Sequence, residues 1–320
     1  MNQNEGLVSI IVPMRNAENY VSDALVSILR EKQVPIEVIV VNDNSTDSSL
    51  DRVLNFSEDR VRVIEGRARG VAATLNTGLA EARGAIIMRC DGDDLYPEKR
   101  IMHQVAWLRA NPEYAAVCGS YSTIDCKGRL VSELPCGGEP VEITGELIRG
   151  IIRTSLCTYA IRAEAMVKVG KFRDYFETSS DIDMQLRLCE VGRIGYVPEI
   201  FYYWRIHTSS LTHQQSNALV EFFEQTALEL QKQRRKSGSD DLQRGHPPLK
   251  PAHGSHSLMR ADVHIQSMLL GRAWRQYAQG RKLEALRTGI RALIVEPRNL
   301  RLWKSVLALV VKSIGANRNR

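Results

Sequence analysis

Residues 85–97 read Ala-Ile-Ile-Met-Arg-Cys-Asp-Gly-Asp-Asp-Leu-Tyr-Pro, an apolar run followed at once by three carboxylates within four positions. A short run without polar alternation has the pattern of a strand buried on both faces. Asp91, Asp93 and Asp94 then stand at its carboxyl end, where like charges repel unless a cation lies among them. A hard divalent ion, Mn2+ or Mg2+, held by one or two carboxylates and completed by phosphate oxygens, fits such a cluster. The plainer reading is an exposed turn, which suits Asp-Gly alone better than Asp-Gly-Asp-Asp after a buried strand.

Three similar runs precede this one: Leu7–Val12, Ile36–Val41 and Val61–Ile64. Helix-compatible stretches at about Tyr20–Lys32, Ser48–Phe56 and Val71–Ala82 separate them. Strands alternating with helices at this spacing predict a parallel sheet with right-handed crossovers, and such sheets bind ligands beyond the carboxyl ends of their strands. The segments at those ends are Pro13–Tyr20 and Asn42–Asp47. Ser45 or Asp47 reads as a helix cap, whereas Asp43 is placed to accept hydrogen bonds from a base or a ribose. The helix start from Val71 to Gly78 reads equally well as packing and as ligand contact.

Further along, Ser180, Asp181 and Asp183 open a helical pattern, where an acid either complements the helix dipole or serves as a general base. The aromatic run Phe201–Trp204 ends in Arg205, His207 and hydroxyl residues.

Taken in order, VSIIVPMRNAENYV, VNDNSTD, RCDGDDLYPEKR, SSDIDMQLRLCEVG and YYWRIHTSSLT resemble the family 2 glycosyltransferases. The resemblance covers roughly Leu7–Thr212. It implies a GT-A, Rossmann-like, mainly parallel mixed α/β sheet flanked by helices, and an inverting, non-processive transferase. On that likeness Pro13, Arg15, Asn16, Glu18, Asp43, Asn76, Asp91, Gly92 and Arg205 bind the nucleotide sugar. Asp43 takes the base, Asp91 the ribose or sugar, and Asp93 the metal, with His207 as a further metal ligand. Asp181 is the implied general base, with Asp183 as runner-up. The expected partners are a UDP-sugar donor and a carbohydrate or lipid-linked saccharide acceptor, in bacterial surface polysaccharide or glycolipid assembly.

Two positions depart from the family pattern. Asn42 stands where paired acids are usual, and Ser180 precedes Asp181 where a Glu is usual. The Gln-x-x-Arg-Trp element of processive synthases is absent. The departures keep a degenerate, non-enzymatic assembly partner open as an alternative. A sugar nucleotidyltransferase is a weaker one, because VPMRNAENY is not a Gly-rich phosphate loop.

Composition divides the chain. The net charge of +6 hides a contrast: 24 basic and 29 acidic residues lie before position 215, and 19 basic and 8 acidic after it. Residues 1–214 are read as the GT-A domain, 215–257 as a basic helix and a Gly/Pro/His-rich linker, and 258–320 as a helical extension. The extension contains one tetratricopeptide-like pair and an amphipathic basic helix from about Leu300. That last helix either lies on an anionic membrane surface or packs internally. Nucleic acid is not an expected partner, since no aromatic platform accompanies the charges. The polar amino terminus and six unpaired cysteines are read as cytoplasmic, peripheral to the inner face of the plasma membrane if the last helix binds lipid.

Overall fold

The computed structural model describes residues 6–134, 136–210, 216–251 and 260–315. In chain order its elements are β1 (Val8–Met14), α1 (Val21–Leu29), β2 (Ile36–Asn42), α2 (Ser49–Leu54), β3 (Val61–Glu65), α3 (Val71–Glu81) and β4 (Ile86–Arg89). There follow α4 (Arg100–Ala110), β5 (Tyr114–Asp125), β6 (Leu130–Glu133), β7 (Val141–Glu142) and α5 (Thr144–Ile148). A 3-10 turn, Leu156–Thr158, leads into β8 (Ala160–Arg162), α6 (Ala163–Val169), α7 (Ser180–Val191) and β9 (Arg193–Ile206). The last helices are α8 (Asn217–Ser237), α9 (Ala261–Ala278), α10 (Lys282–Val295) and α11 (Leu300–Gly315).

The strands form one sheet in the order β3-β2-β1-β4-β8-β5-β9-β7, with β6 paired to β5. β1 to β4 run parallel, as the alternation of strands and helices predicts, and β8 turns antiparallel against β4. Register aligns the strand ends: Met14 lies opposite Asn42, and Ile11 opposite Arg89. The segments after β1, β2 and β4 therefore emerge along one edge. Helix α3 seats closely on β1 and β2, and Gly78 makes that approach work. A Cβ there would stand 2.5 Å from Ile11 Cγ2 and 3.1 Å from Val41 Cγ2.

The chain forms two compact units. The first lies within Met1–Tyr121, Pro135–Tyr203 and Ala218–Gly254. Its main core runs from Ile11, Ile39, Val41 and Leu75 to Tyr159, Met184, Leu188 and Tyr196. Helix α8, read from sequence as part of a separate segment, belongs to this unit, because Phe223, Ala227 and Leu230 pack with Phe176 and Leu186 of the α7 region. The stretch after it, read as a linker, begins as built structure. Asp240 is fully buried and pairs with Arg234 at 2.6 Å and Arg173 at 2.8 Å. His253 and His256 of that Gly/Pro/His-rich stretch lie outside the described residues.

The second unit lies within Ser122–Leu134, Trp204–Asn217 and Ser255–Arg320. Helices α9, α10 and α11 pack around Leu269, Ala292, Leu293, Leu302 and Val306, with Val131 of β6 in the same cluster. Arg291 donates to Leu130 O and pairs with Asp125 at 2.8 Å. Among the described residues no helix is long and apolar enough to cross a membrane. None of the six cysteines is in a disulfide; Cys126 and Cys136 are exposed and the others buried.

Candidate active site

The turns after β1 and β2 are laced together. Asn16, with φ of 51°, accepts from the Thr46 backbone N–H at 2.8 Å, and its own N–H donates to Ser45 Oγ. Glu18 accepts from the Ser48 N–H, while Asp47 accepts from that of Glu18. Asn16 and Glu18 thus shape the rim, and Arg15, just before them, is exposed with no partner among the described residues. Asp43 is buried. Its Oδ1 accepts from the Ala68 N–H at 2.8 Å and fixes the turn after β3. Asn42 donates to Glu65 at 3.1 Å and accepts from the Ser45 N–H, so a carboxylate adjoins the position where the family pattern has an acid.

Asn76 is a clasp. Its amide nitrogen donates to Phe172 O at 2.8 Å and its amide oxygen accepts from Phe172 N–H at 2.9 Å, tying α3 to the loop before α7.

The acidic turn after β4 is held from below. Gly92 N–H donates to Pro13 O, and Asp94 N–H to Asp91 O. Asp94 is buried and accepts from the Tyr202 hydroxyl at 2.7 Å; the same hydroxyl accepts from the Asp91 N–H at 3.0 Å. Arg89 grips Asp91 at two points, Nε to Oδ1 at 2.6 Å and Nη2 to Oδ2 at 2.8 Å. Three unsupported carboxylates, the sequence basis for a metal, are therefore not what the fold presents. Asp91 and Asp94 have internal partners; by exposure Asp91 and Asp93 are half-buried and Asp94 is buried.

Burial nevertheless pushes the Asp91 carboxyl up against the pull of Arg89, and the Asp93 and Asp181 carboxylates push it the same way. Those three acids thus feel one another. Cys157 Sγ lies 4.0 Å from Asp91 Oδ2, and burial pushes its thiol up to about 12.

The two acids of α7 have opposite environments. Asp183 is fully buried, paired with Arg187 at 2.8 Å and Arg173 at 3.5 Å. Asp183, the runner-up base of the sequence reading, is thus held in a buried ion pair. Asp181 is half-exposed in the first turn and makes no hydrogen bond or ion pair among the described residues. Its charge also raises Glu224 of α8, after the larger effect of burial.

Arg205 and His207 belong to the second unit. The Arg205 guanidinium donates to the carbonyls of Asp125 and Cys126, each at 3.4 Å. His207 Nδ1 lies 2.8 Å from Ser209 Oγ; Arg205 and His207 are buried, whereas Ser209 is exposed.

Sequence reasoning passed over Arg89, Tyr202, Cys157 and Glu224. The dyad Arg89-x-Asp91 was visible, but only the fold shows the side chains turned toward each other. Nothing in the sequence marks Glu224 as a neighbour of Asp181.

A metal fits this edge only in a particular way. Among the described residues no group of three or more His, Cys, Asp or Glu side chains forms a ligand set. The donor set instead suits an ion taking one or two carboxylates, Asp93 foremost, with the remaining ligands from diphosphate and water.

Comparisons agree with the geometry. The putative glycosyltransferase EpsE of Bacillus subtilis (strain 168) is 31% identical over 230 residues, 67% of this chain and 80% of that protein. An uncharacterized glycosyltransferase of Rickettsia conorii is 30% identical over 219 residues, 66% of this chain; the match spans 36% of that relative's length. The chondroitin synthase of Pasteurella multocida (strain Pm70) is 28% identical over 204 residues, 63% of this chain and 21% of that protein. The crystal structure of S. aureus TarS 1-349 with UDP-GlcNAc aligns with a TM-score of 0.59 at 18% identity, covering 97% of this chain and 81% of the other. That likeness shows the GT-A-like fold. The acidic turn, the α7 carboxylate and the parallel block that carries them lie within or just beyond residues 9–176, which match the family model described as glycosyl transferase family 2. With just over half of its length inside that match, the chain belongs to glycosyl transferase family 2.

Proposed function

We propose that this glycosyltransferase moves one sugar per encounter from a UDP-sugar to a hydroxyl of a carbohydrate or lipid-linked saccharide, with inversion, in bacterial surface polysaccharide or glycolipid assembly. The observation that carries the reading is Asp181: a half-exposed carboxylate with no hydrogen-bond or ion-pair partner among the described residues, close enough to Asp91 to shift its proton affinity. A general base needs that freedom to accept the proton of an attacking hydroxyl. TarS, a neighbour in fold, was crystallised with UDP-GlcNAc and with UDP, which supports a uridine nucleotide donor.

In this reading Asp43 accepts from the uracil, Asp91 from the ribose or sugar, and Arg15 and Gly92 border the donor. Arg205 steadies the leaving diphosphate. Asn16, Glu18, Pro13 and Asn76 act by holding the turns in place. Asp93 would hold Mn2+ or Mg2+; that ion, when bound, neutralises charge growing on the diphosphate. Burial raises the Asp91 carboxyl, and Arg89 opposes that effect in favour of the charged form that the donor hydroxyls need. Glu65 beside Asn42, and Asp181 with no side-chain partner among the described residues, both support the enzymatic reading over a degenerate one.

A thermal-shift panel of nucleotide sugars with Mn2+ tests the reading. UDP-sugars should raise the melting temperature more than ADP-, GDP- or dTDP-sugars do. An equal rise with every nucleotide, or none with any, would contradict the donor assignment.

A further inference from the structure

Helix α11 uses one face and leaves another uncovered. Leu302, Val306 and Leu309 are buried within the second unit, whereas Trp303, Leu307 and Val311 are 42%, 57% and 67% exposed. Helix α10 repeats the arrangement, with Leu283, Ile290 and Ile294 at 74%, 52% and 71%. Isolated apolar residues on a surface are ordinary, but aligned stripes are not.

The stripes face the same way. Gly289 of α10 looks at Val306 of α11, since a Cβ there would stand 3.4 Å from Val306 Cγ1. Around each helix the exposed stripe lies roughly a third of a turn from that contact, in the same sense along the sequence. A four-residue connection, Glu296–Asn299, makes the two helices an antiparallel pair. In such a pair equal displacements fall on one side, so the six side chains share a face.

Charge names the occupant. Residues 298–320 contain six Lys and Arg and no Asp or Glu. On α10, exposed Arg287 lies within the stripe; on α11, exposed Lys304 lies beside Trp303 and Leu307. The carboxylates of α10 are engaged elsewhere: Glu284 pairs with Arg281, and Glu296 with Arg260. A second copy of this face would bring cations against cations.

We propose that the α10–α11 face docks on an anionic phospholipid surface, its apolar stripes entering the headgroup boundary with Trp303 among them and its cations meeting lipid phosphates. Apolar area and cation attraction together give such faces reversible, salt-sensitive membrane affinity. The proposal is independent of the catalytic residues.

Flotation of the full chain with vesicles of phosphatidylglycerol and phosphatidylcholine, and of phosphatidylcholine alone, tests it. The native protein should float with the anionic vesicles, weakly with the neutral ones, and less as salt rises. Leu307→Gln with Val311→Gln, and separately Arg287→Gln with Lys304→Gln, should each lower anionic recovery about tenfold. An unchanged melting temperature would show that these surface variants fold. Equal recovery of native and variant proteins overturns the proposal. So does a native protein that stays unbound while sedimentation shows self-association lost in Leu307→Gln, which would make the face an interface between copies.

Discussion

Arg89 and Asp91 face each other across one intervening residue as a two-point ion pair, 2.6 and 2.8 Å long, at the end of a buried strand. The pair sets the charge of the acidic turn before any ligand arrives. Arg89→Ala should therefore destabilise the fold by about 2–3 kcal/mol, toward the lower end for a partly buried pair losing one member. It should also raise the Asp91 carboxyl further, since burial, Asp93 and Asp181 would then act almost unopposed. Thermal melts and the pH dependence of UDP-sugar binding check both effects. In the native protein Asp91 is already raised, so donor affinity should fall as pH drops through that raised value.

The stability linkage of Asp91 runs the other way. A carboxyl raised in the folded state contributes stability that is full below its unfolded value and lost as pH climbs through the folded one. Asp240 behaves oppositely. Burial pushes it up, but Arg234, the Gln243 N–H and Arg173 together hold it below its ordinary 3.8. Its contribution is present above that value and disappears as pH falls through the lowered one. Asp240→Asn should cost about 3 kcal/mol near neutrality and flatten the acid limb of the melting profile.

Asp43 can be disturbed without being removed. A Cβ on Gly66 would stand 2.9 Å from Asp43 Oδ1 and 3.1 Å from Asn42 O. Gly66→Ala should displace the carboxylate and weaken UDP binding about tenfold, approaching the effect of Asp43→Ala. Calorimetric titration of both variants with UDP measures it.

Thiol labelling should divide the cysteines. Exposed Cys126 and Cys136 should react with iodoacetamide at mild alkaline pH, whereas Cys157, buried and pushed up to about 12, should not. Mass spectrometry after unfolding reads the pattern directly.

The fold was legible where one physical constraint dominated. Strands β1, β2 and β4 are largely buried, so their apolar runs stand out, and the observed limits of β1 to β4 differ from the expected ones by at most two residues. Strand ends then located the acidic turn. What stayed hidden depended on side-chain direction or on distant partners. Asp181 and Asp183 are two residues apart on one helix turn, and only packing shows that Arg187 and Arg173 claim the second. The Gly-, Ser- and Asp-rich stretch after α8 resembles a linker by composition. Asp240 anchors it nonetheless, through arginines at positions 173 and 234. The basic charge of the carboxyl-terminal part likewise splits, with Arg234 serving the core of the first unit and Lys304 left at the surface.

Asp181 as the general base is the central claim, and sugar transfer measured beside UDP affinity tests it most directly. Asp181→Asn should bind UDP as the native enzyme does while transfer from its preferred UDP-sugar falls about 100- to 10,000-fold. Native-rate transfer by a folded Asp181→Asn variant would contradict the account.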